Sequence, residues 1–477
     1  IVGLPDASVK ESSDRVRAAL KNSGYQLPVS SITINLAPAD IRKEGPAFEL
    51  PIALALLEAS DGYKRKLEGR YAVVGELALD GRVRGVNGCL CRAVCARDEG
   101  LDGLIVPTDN AEEAGAVDGL DVVPVSHLTE AVSFLSGARE LQPIQVNLDR
   151  LFNASGSYDM DMSEVRGQEH VKRALEVAAA GGHNVLMIGP PGAGKSMLAK
   201  RLCTILPQLT LEESLQTTKV YSVSGQLTAD TPLLTTRPFR SPHHTVSKAG
   251  LVGGGSHPKP GEISLAHHGV LFLDELPEFS RGSLESLRQP IEEGRVTVSR
   301  AQMTVTYPAQ FTLVAAMNPC PCGHYTNRRK ECRCSTRQIQ NYRRRISGPL
   351  LDRIDIQVDV PQVAYQDLAG SRSGDSSDDI RSRVTEARGR QTRRFRDEKF
   401  FTNSRMSSRH VREFCDLDDK GQTLLRQAVD SLGLSARAYD KVLKTARTVA
   451  DLEGAADIGV HHVSEAVNYR SLDRGME

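Results

Sequence analysis

One eight-residue segment of this chain has the composition of a phosphate-binding loop: residues 189–196 read Gly-Pro-Pro-Gly-Ala-Gly-Lys-Ser. Its glycines let the backbone curl so that successive N–H groups and the following helix N-terminus point at phosphates. In such a loop Lys195 reaches the β- and γ-phosphates and Ser196 holds Mg²⁺. The segment therefore predicts that the chain binds ATP and Mg²⁺. The residues expected to contact the nucleotide are Gly189, Pro190, Pro191, Gly192, Ala193, Gly194, Lys195, Ser196 and Met197.

Two adjacent acids follow an apolar run that reads Gly-Val-Leu-Phe-Leu at residues 269–273. Asp274 is placed for association with Mg²⁺, and Glu275 is placed to orient or deprotonate the water that attacks the γ-phosphate. The alternative is a buried strand that happens to end in two surface acids. Beside the phosphate loop, the pair favours hydrolysis of ATP.

Three further polar residues fit the same chemistry. Asn318 ends an apolar run that begins at Thr312, where a sensor of the γ-phosphate or of the attacking water would lie. Arg353 and Arg437 are suited to the negative charge that develops on the transferred phosphoryl group. The alternatives are a strand-end cap for Asn318 and surface salt bridges for the two arginines.

The elements that must position these residues are short apolar strands followed by helices. The run 184–188 precedes the phosphate loop as a buried strand would, and 196–202 is compatible with a helix. The pattern predicts an α/β fold in which a parallel sheet is flanked by helices.

Composition restricts the class of protein. At about 150 residues per domain, the 477 residues suggest about three domains. Net charge is zero, so contacts with nucleic acid must come from local patches. The odd count of nine cysteines fits a reduced cytoplasmic interior, and we expect no membrane association. Because the chain begins at Ile1 without a methionine, we also expect earlier residues to be missing.

The predicted organisation has three parts and two linkers. Residues 1–142 form an α/β domain, 143–161 a polar linker, 162–365 the ATPase core, 366–379 a Gly/Ser/Asp-rich linker, and 380–477 a small helical lid. In the first part we expect helices at 13–21 and 51–59, and strands at 31–36, 71–77, 103–106 and 120–123. In the lid, Ser435 is the expected N-cap of a helix over 436–452.

Four cysteines form a compact array directly after Asn318: Cys320, Cys322, Cys332 and Cys334. Four thiolates at such spacing can close a tetrahedral Zn²⁺ site and hold a long loop, with His324 as a substitute ligand. The alternative is four reduced cysteines without metal. Cys89, Cys91 and Cys95 fit a helix and are expected to be small core residues.

Several stretches resemble the magnesium-chelatase-like branch of the AAA+ superfamily, which is kin to the MCM replicative helicases. They are 237–245 (Arg-Pro-Phe-Arg-Ser-Pro-His-His-Thr), 253–255 (Gly-Gly-Gly), 260–266 and the acidic strand end. The resemblance implies a ring, usually of six subunits, in which Arg353 acts as a finger on the neighbouring subunit's ATP. Arg437 would be the second sensor, which in this branch may also act across the interface.

The same resemblance implies two DNA-facing elements. An inserted helix–loop matches 241–255 and a β-hairpin matches 295–307, so Lys248, Arg295 and Arg300 are the candidate DNA contacts, made to the backbone without sequence preference. Residues 328–345 carry eight Lys or Arg against one acid, Glu331. That segment is either a phosphate-binding patch or a solvated or subunit-contact surface. His243 and His244 could instead be packed core histidines.

Residues 1–125 resemble the Lon protease catalytic domain, of the S5-domain-2-like α/β fold. Ala47 falls where Lon proteases have the nucleophilic serine of Gly-Pro-Ser, and Leu90 falls on the lysine position. Neither side chain can attack a carbonyl or act as a base, so the serine–lysine dyad is absent. We expect this domain to be a scaffold or a DNA-facing module and not a peptidase.

Together the two domains resemble the bacterial ComM/YifB family over essentially the whole chain. The resemblance implies a homohexameric, ATP-driven helicase that migrates branched DNA when incoming single strands are integrated in natural transformation. Its expected partners are single-stranded and branched DNA and recombination proteins. The alternatives are a magnesium-chelatase-type motor that remodels a metal-insertion partner, and a nucleotide-switched scaffold with negligible turnover.

Overall fold

The computed structural model describes residues 1–3, 7–26, 31–38, 43, 45–154, 158–228, 231–255, 258–300, 303–325, 330–363, 374–398 and 400–472. These residues form two compact units. The first unit is Ile1–Gly156 with Leu211–Thr235, and the second is Ser157–Thr210 with Thr236–Glu477. Within the described ranges, no helix has both the length and the apolar composition needed to cross a membrane.

The helices and strands follow in chain order. The helices are α1 (Ala7–Asn22), α2 (Glu49–Ala59), α3 (Cys89–Asp98), α4 (Ala111–Gly115), α5 (Leu128–Leu135), α6 (Leu148–Ala154), α7 (Glu169–Gly181), α8 (Lys195–Ile205), α9 (Leu211–Ser224), α10 (Lys248–Val252), α11 (Glu262–Leu265), α12 (Arg281–Ser286), α13 (Arg288–Glu293), α14 (Thr336–Arg343), α15 (Gly348–Leu351), α16 (Ser377–Arg394), α17 (Ser408–Phe414), α18 (Asp419–Leu432), α19 (Ala436–Glu453) and α20 (Val460–Asn468). The strands are β1 (Tyr71–Val73), β2 (Glu76–Leu77), β3 (Val83–Arg84), β4 (Gly103–Pro107), β5 (Asp121–Val125), β6 (Val185–Ile188), β7 (Phe239–Arg240), β8 (Gly253–Gly254), β9 (Lys259–Pro260), β10 (Val270–Leu273), β11 (Arg295–Ser299), β12 (Thr304–Pro308), β13 (Thr312–Met317) and β14 (Ile356–Asp359).

The first unit contains a parallel sheet of order β1-β4-β5. Helix α9 belongs to this unit, although its sequence lies inside the predicted ATPase core. The N–H of Gly88 donates to the carbonyl of Ser222 at 3.1 Å, and the Ser222 hydroxyl donates to the buried Glu113 at 2.9 Å. These hydrogen bonds tie α9 to residues beside α3 and in α4.

The second unit is built on a parallel sheet of order β14-β6-β13-β10-β7. Every residue of β6, β10 and β13 is buried, which explains their unbroken apolar sequences, since strands covered on both faces have no polar side. Because all the strands run in one direction, their carboxyl ends meet at one edge. The predicted α/β class is therefore confirmed.

The carboxyl-terminal part of the second unit is helical, from α16 to α20. Ser435 is the N-cap of α19, and its side chain accepts the N–H of Ala438 at 3.2 Å, as predicted. Lys441 of this helix forms a 2.8 Å ion pair with Asp355, which lies directly before β14. Asp355 also accepts the N–H of Asn184 at 2.9 Å, so the helical part is bonded to the sheet's amino edge.

Some sequence-based expectations differ from the structure. The strand expected at 31–36 is wrong: the segment makes an isolated bridge between Asn35 and Val2 and is mostly exposed, because an apolar pattern does not by itself provide a partner strand. The strand expected at 71–77 is divided into β1 and β2. Helix α6 lies within the expected linker 143–161, and most of the expected linker 366–379 lies outside the described residues.

Candidate active site

The phosphate loop joins the carboxyl end of β6 to the start of α8. Gly192 and Gly194 have φ of 75° and 89°, a left-handed conformation that glycine adopts without strain. At Gly189 a side chain would not fit, since a Cβ would lie 2.2 Å from the carbonyl oxygen of Val360. The loop therefore has the backbone shape of an anion cradle at a helix N-terminus.

Lys195 is folded into this loop. Its ammonium group donates to the carbonyls of Gly189 at 2.7 Å and Pro190 at 3.0 Å, and to Oδ1 of Asn318 at 3.2 Å. Burial lowers the pKa of Lys195, against the opposing effect of Asp274 and Glu275. The structure thus brings the loop lysine and the candidate sensor Asn318 into direct contact.

Ser196 and Asp274 also lie in contact. The Ser196 hydroxyl donates to Oδ2 of Asp274 at 2.7 Å, and the N–H of Glu275 donates to Oδ1 at 2.9 Å. A hydroxyl and a carboxylate at this separation are the kind of oxygen donors that Mg²⁺ takes beside nucleotide phosphates. The two residues predicted to hold Mg²⁺ therefore fit that ion.

Glu275 has a left-handed backbone, with φ of 52°, and a side chain that is 54% exposed. Nδ1 of His244 lies 3.3 Å from Oε2 of Glu275. The rings of His243 and His244 have centroids 4.0 Å apart and are tilted by 35°, and His243 is exposed. These histidines are thus not packed in the core, and the contact of His244 with Glu275 could not be read from their spacing.

Arg353 and Arg437 lie apart from these residues. The carbonyl of Arg353 accepts the side-chain N–H of Asn184, which immediately precedes β6, at 3.1 Å. The phosphate loop follows the other end of β6, and four residues at about 3.3 Å each separate the two edges by about 13 Å. Arg437 is 66% exposed and lies 4.0 Å from Asp352, so it is at the same edge as Arg353.

The four cysteines of the array converge. The sulfur of Cys320 lies 3.4 Å from that of Cys322 and 3.7 Å from that of Cys332, and Cys322 and Cys332 are 3.7 Å apart. Cys334 completes a group whose ligand atoms all lie within 4.8 Å. A tetrahedron with zinc–sulfur bonds of about 2.3 Å has sulfur–sulfur edges of about 3.8 Å, so the group has the size of a closed Zn²⁺ site. His324 is not part of this group.

The cysteine loop packs on the phosphate loop. Gly323 has φ of 78°, and a Cβ there would lie 2.5 Å from Cδ of Pro191. On the other side, the guanidinium of Arg343 donates to the carbonyl of Pro319 and lies 5.4 Å from the ring centroid of Tyr325. The cysteine loop therefore contacts the phosphate loop directly at Pro191.

The candidate DNA contacts are exposed. Lys248 begins α10, and Arg295 and Arg300 lie at the start of β11 and directly after its end; residues 301–302 lie outside the described residues. In the basic segment 328–345, Arg328 and Arg329 also lie outside them. Arg345 is paired with Glu278 at 2.7 Å, so part of that positive charge is used within the unit.

Ala47 and Leu90, at the positions of the Lon nucleophile and lysine, are apolar residues with apolar neighbours. Ala47 and Leu90 are 5% and 0% exposed and belong to one cluster of buried apolar side chains. Cys89 lies in the same cluster, as predicted for a core cysteine, whereas Cys91 is partly exposed and the same prediction is wrong for Cys95, which is exposed. Neither the methyl group of Ala47 nor the side chain of Leu90 can act as a nucleophile or as a base.

A second group with the residue types of a metal site lies at Glu453, His461 and His462. No motif in the sequence predicts it. The N–H of Gly459 donates to Nδ1 of His462 at 2.8 Å, so Nε2 carries the hydrogen in the neutral ring and donates to Glu453 at 2.9 Å. This tautomer turns an N–H toward the centre of the group, which is unsuited to a cation.

Three family models match the chain. They are described as magnesium chelatase, subunit ChlI, over residues 161–368; subunit ChlI of Mg-chelatase, over 1–110; and magnesium chelatase, subunit ChlI C-terminal, over 374–470. The first covers the phosphate loop, both acids, Asn318, the cysteine array and Arg353.

Similar proteins cover nearly the whole chain. An uncharacterized protein YifB of Salmonella typhimurium is 46% identical over 99% of this chain and 92% of its own length. The competence protein ComM of Haemophilus influenzae is 44% identical over the same shares. A Lon protease of Endomicrobium trichonymphae is 24% identical over 26% of this chain and 17% of its own.

Proposed function

This chain belongs to the ComM/YifB family of magnesium-chelatase-like AAA+ ATPases, and on that premise we propose that it is a ring-forming, ATP-driven DNA translocase or helicase. Its task in this proposal is branch migration while incoming DNA recombines during natural transformation. The name of the competence protein of Haemophilus influenzae supports that setting.

The observation that carries the proposal is the division of the catalytic groups between two edges of one sheet. Lys195 and Asn318 lie at the carboxyl edge, while Arg353 and Arg437 lie at the amino edge. An arginine at the amino edge cannot reach the ATP of its own subunit, but it can reach that of a neighbour in a ring. Both arginines therefore serve the next subunit, and a complete site needs two copies of the chain.

Within each site the roles follow from contacts and chemistry. Lys195 leaves its carbonyl partners for the β- and γ-phosphates, and Ser196 with Asp274 holds Mg²⁺, which when bound neutralises phosphate charge. Glu275 orients and deprotonates the attacking water. Asn318 contacts Lys195 of the loop and acts as the sensor of the γ-phosphate. Cys320, Cys322, Cys332 and Cys334 hold a structural Zn²⁺ that fixes the loop against Pro191.

The DNA contacts in this proposal are Lys248, Arg295 and Arg300. Their exposure and positive charge suit phosphates, so binding would weaken as salt rises. The hairpin adds hydroxyls on its exposed face, where Thr297 and Thr306 lie 3.1 Å apart. Such groups contact the DNA backbone without reading sequence.

Mixed rings test the shared site. Lys195→Ala removes a subunit's own site but leaves its arginine, and Arg353→Ala does the reverse, so each variant alone should be inactive. In random 1:1 rings about a quarter of the sites would combine an intact loop with an intact arginine, and ATP turnover should recover to about a quarter of wild type. If the mixture stays as inactive as its parts, the arginine does not act between subunits.

Assays with forked and three-stranded DNA test the proposed helicase activity. We expect forked DNA to stimulate turnover, and ATP to drive strand exchange in a fluorescent branch-migration assay with wild type but not Lys195→Ala. The second candidate, a motor for metal insertion into a tetrapyrrole, is favoured by the descriptions of the matching family models. Turnover that responds to a chelatase partner and not to DNA would decide for that candidate.

A further inference from the structure

Arg353 is held tightly within its own subunit. Its side chain is 10% exposed, and one terminal nitrogen lies 2.5 Å from Oε1 of Glu292. The other terminal nitrogen donates to the carbonyl of Pro349 at 2.5 Å. A long side chain that would lose about 2 kcal/mol of rotamer entropy on being ordered is thus fixed in one direction before any neighbour binds.

Glu292 is itself anchored by its backbone. It lies in the last turn of α13, and Nη1 of Arg405 donates to the carbonyls of Ile291 and Glu292 at 3.0 and 3.1 Å. Gly294, with φ of 66°, then ends the helix through a bond from its N–H to the carbonyl of Pro290 at 2.9 Å. The carboxylate of Glu292 therefore projects from a fixed point.

An acid is an unfavourable choice at this point of a helix. The helix C-terminus carries partial negative charge, which disfavours a carboxylate in the last turn by about 0.3–1 kcal/mol. Neither helix stability nor burial explains Glu292, whose side chain is 54% exposed. Its ion pair with Arg353 offsets that cost.

We propose that Glu292 is a positioning residue that directs Arg353 toward the ATP of the neighbouring subunit. The inference rests on the proposed shared site. Each terminal nitrogen of a guanidinium carries two N–H groups. With one N–H on Glu292 and one on Pro349, each nitrogen keeps a second N–H for an oxygen of the neighbour's γ-phosphate, in the two-pronged arrangement that arginine makes with phosphates.

The first test compares Glu292→Ala with Glu293→Ala. Glu293 is the adjacent acid, but it pairs with Arg295 at 3.1 Å and not with Arg353. In steady-state turnover without DNA, Glu292→Ala should lower kcat about tenfold and leave KM for ATP within about twofold, because a misplaced group costs rate more than binding. Glu293→Ala should match wild type. Unchanged or increased kcat in Glu292→Ala would overturn the proposal.

The second test uses mixed rings to separate positioning from a general structural defect. In 1:1 rings of Glu292→Ala and Lys195→Ala subunits, about a quarter of the sites combine an intact Lys195 with an intact Glu292–Arg353 pair of the neighbour. Turnover should rise to about a quarter of wild type, whereas simple dilution of the Glu292→Ala rings would leave about one twentieth. Turnover at the dilution value means that Glu292 acts on its own subunit, and the proposal is wrong.

The two proposals fail in different ways. If Arg353→Ala and Lys195→Ala do not complement each other, the shared site is wrong. If they do complement each other and Glu292→Ala keeps normal turnover, the shared site stands and only the role of Glu292 is refuted.

Discussion

Replacing Asp355 with asparagine should destabilise the ATPase unit, because Asp355 is the counter-charge of a buried lysine. Lys441 lies 2.8 Å away with a side chain that is 15% exposed. Burial alone would raise the pKa of Asp355, but Lys441, His183 and the N–H of Asn184 outweigh it and lower the pKa to about 2. The carboxylate is therefore charged, and it is stabilised in that form, throughout the neutral range.

The expected loss of unfolding free energy can be derived from the pKa shift of Asp355 and from the cost of an unpaired buried lysine. A carboxyl pKa that falls from 3.8 to about 2 on folding contributes about 2 kcal/mol of stability. Since the folded pKa is the lower one, this contribution is complete above about pH 4 and is lost as the pH falls from 4 toward 2. In Asp355→Asn the lysine stays buried without a partner, which typically costs about 3–5 kcal/mol.

Thermal unfolding at neutral pH, followed by circular dichroism, measures the effect. A unit of this size loses about 2 °C in Tm for each kcal/mol of lost stability. The Tm of the ATPase unit should therefore fall by about 6–10 °C in Asp355→Asn. Asp352→Asn is the control, because Asp352 is 37% exposed and lies 4.0 Å from Arg437, and it should shift the transition by less than about 2 °C.

A double variant identifies the cause. In Asp355→Asn with Lys441→Met the buried ammonium group is removed together with its carboxylate partner, so most of the lost stability should return. If the double variant is as unstable as the sum of its parts, or if Asp355→Asn melts within about 2 °C of wild type, the buried charge pair is not what holds α19 to the sheet.

Three other variants have expected outcomes. Cys320→Ser should reduce bound zinc, measured by elemental analysis, from about one per chain to near zero, since a closed site needs all four ligands. The same variant should weaken ATP binding, because the cysteine loop packs on Pro191. If ATP binding is unchanged after zinc is lost, the fold of the cysteine loop does not affect the phosphate loop. Gly323→Ala, at φ of 78° with a Cβ 2.5 Å from Pro191, should weaken binding of a fluorescent ATP analogue about five- to tenfold, while Gly282→Ala, whose Cβ would meet nothing within 4 Å, should not. Ala47→Ser should give no cleavage of fluorogenic peptides, because the position lies in an apolar cluster with Leu90 and without a base; any cleavage above background would contradict this.

Much of the site could be predicted because its signals are local. The phosphate loop, the two acids after β10 and Asn318 each lie at the end of one apolar strand, and parallel strands bring such ends together. The cysteine group was equally accessible, since its four members fall within one short segment. That Arg353 lies at the opposite edge follows from its position before β14 once the sheet order is known.

Other features depend on contacts between distant segments, which no local pattern contains. Glu292 meets Arg353, and His244 meets Glu275, across long loops. The residues around Glu292 do not distinguish it from an ordinary surface glutamate, and those around Glu275 indicate its role but not its contact with His244. The strand expected at 31–36 failed for the same reason, because alternation of apolar residues predicts a face but not a partner.

The route of the chain has a consequence for how the protein can be divided. The polypeptide leaves the ATPase unit after α8, contributes α9 to the first unit, and returns before β7. A single cut in the segment 143–157 would therefore nick the protein without releasing a fragment. An amino-terminal fragment ending there would lack a helix of its own domain, and the complementary fragment would carry that helix with Leu215 separated from the apolar cluster of Ala47 and Leu90. The two units must therefore be expressed as one polypeptide for the first unit to be complete.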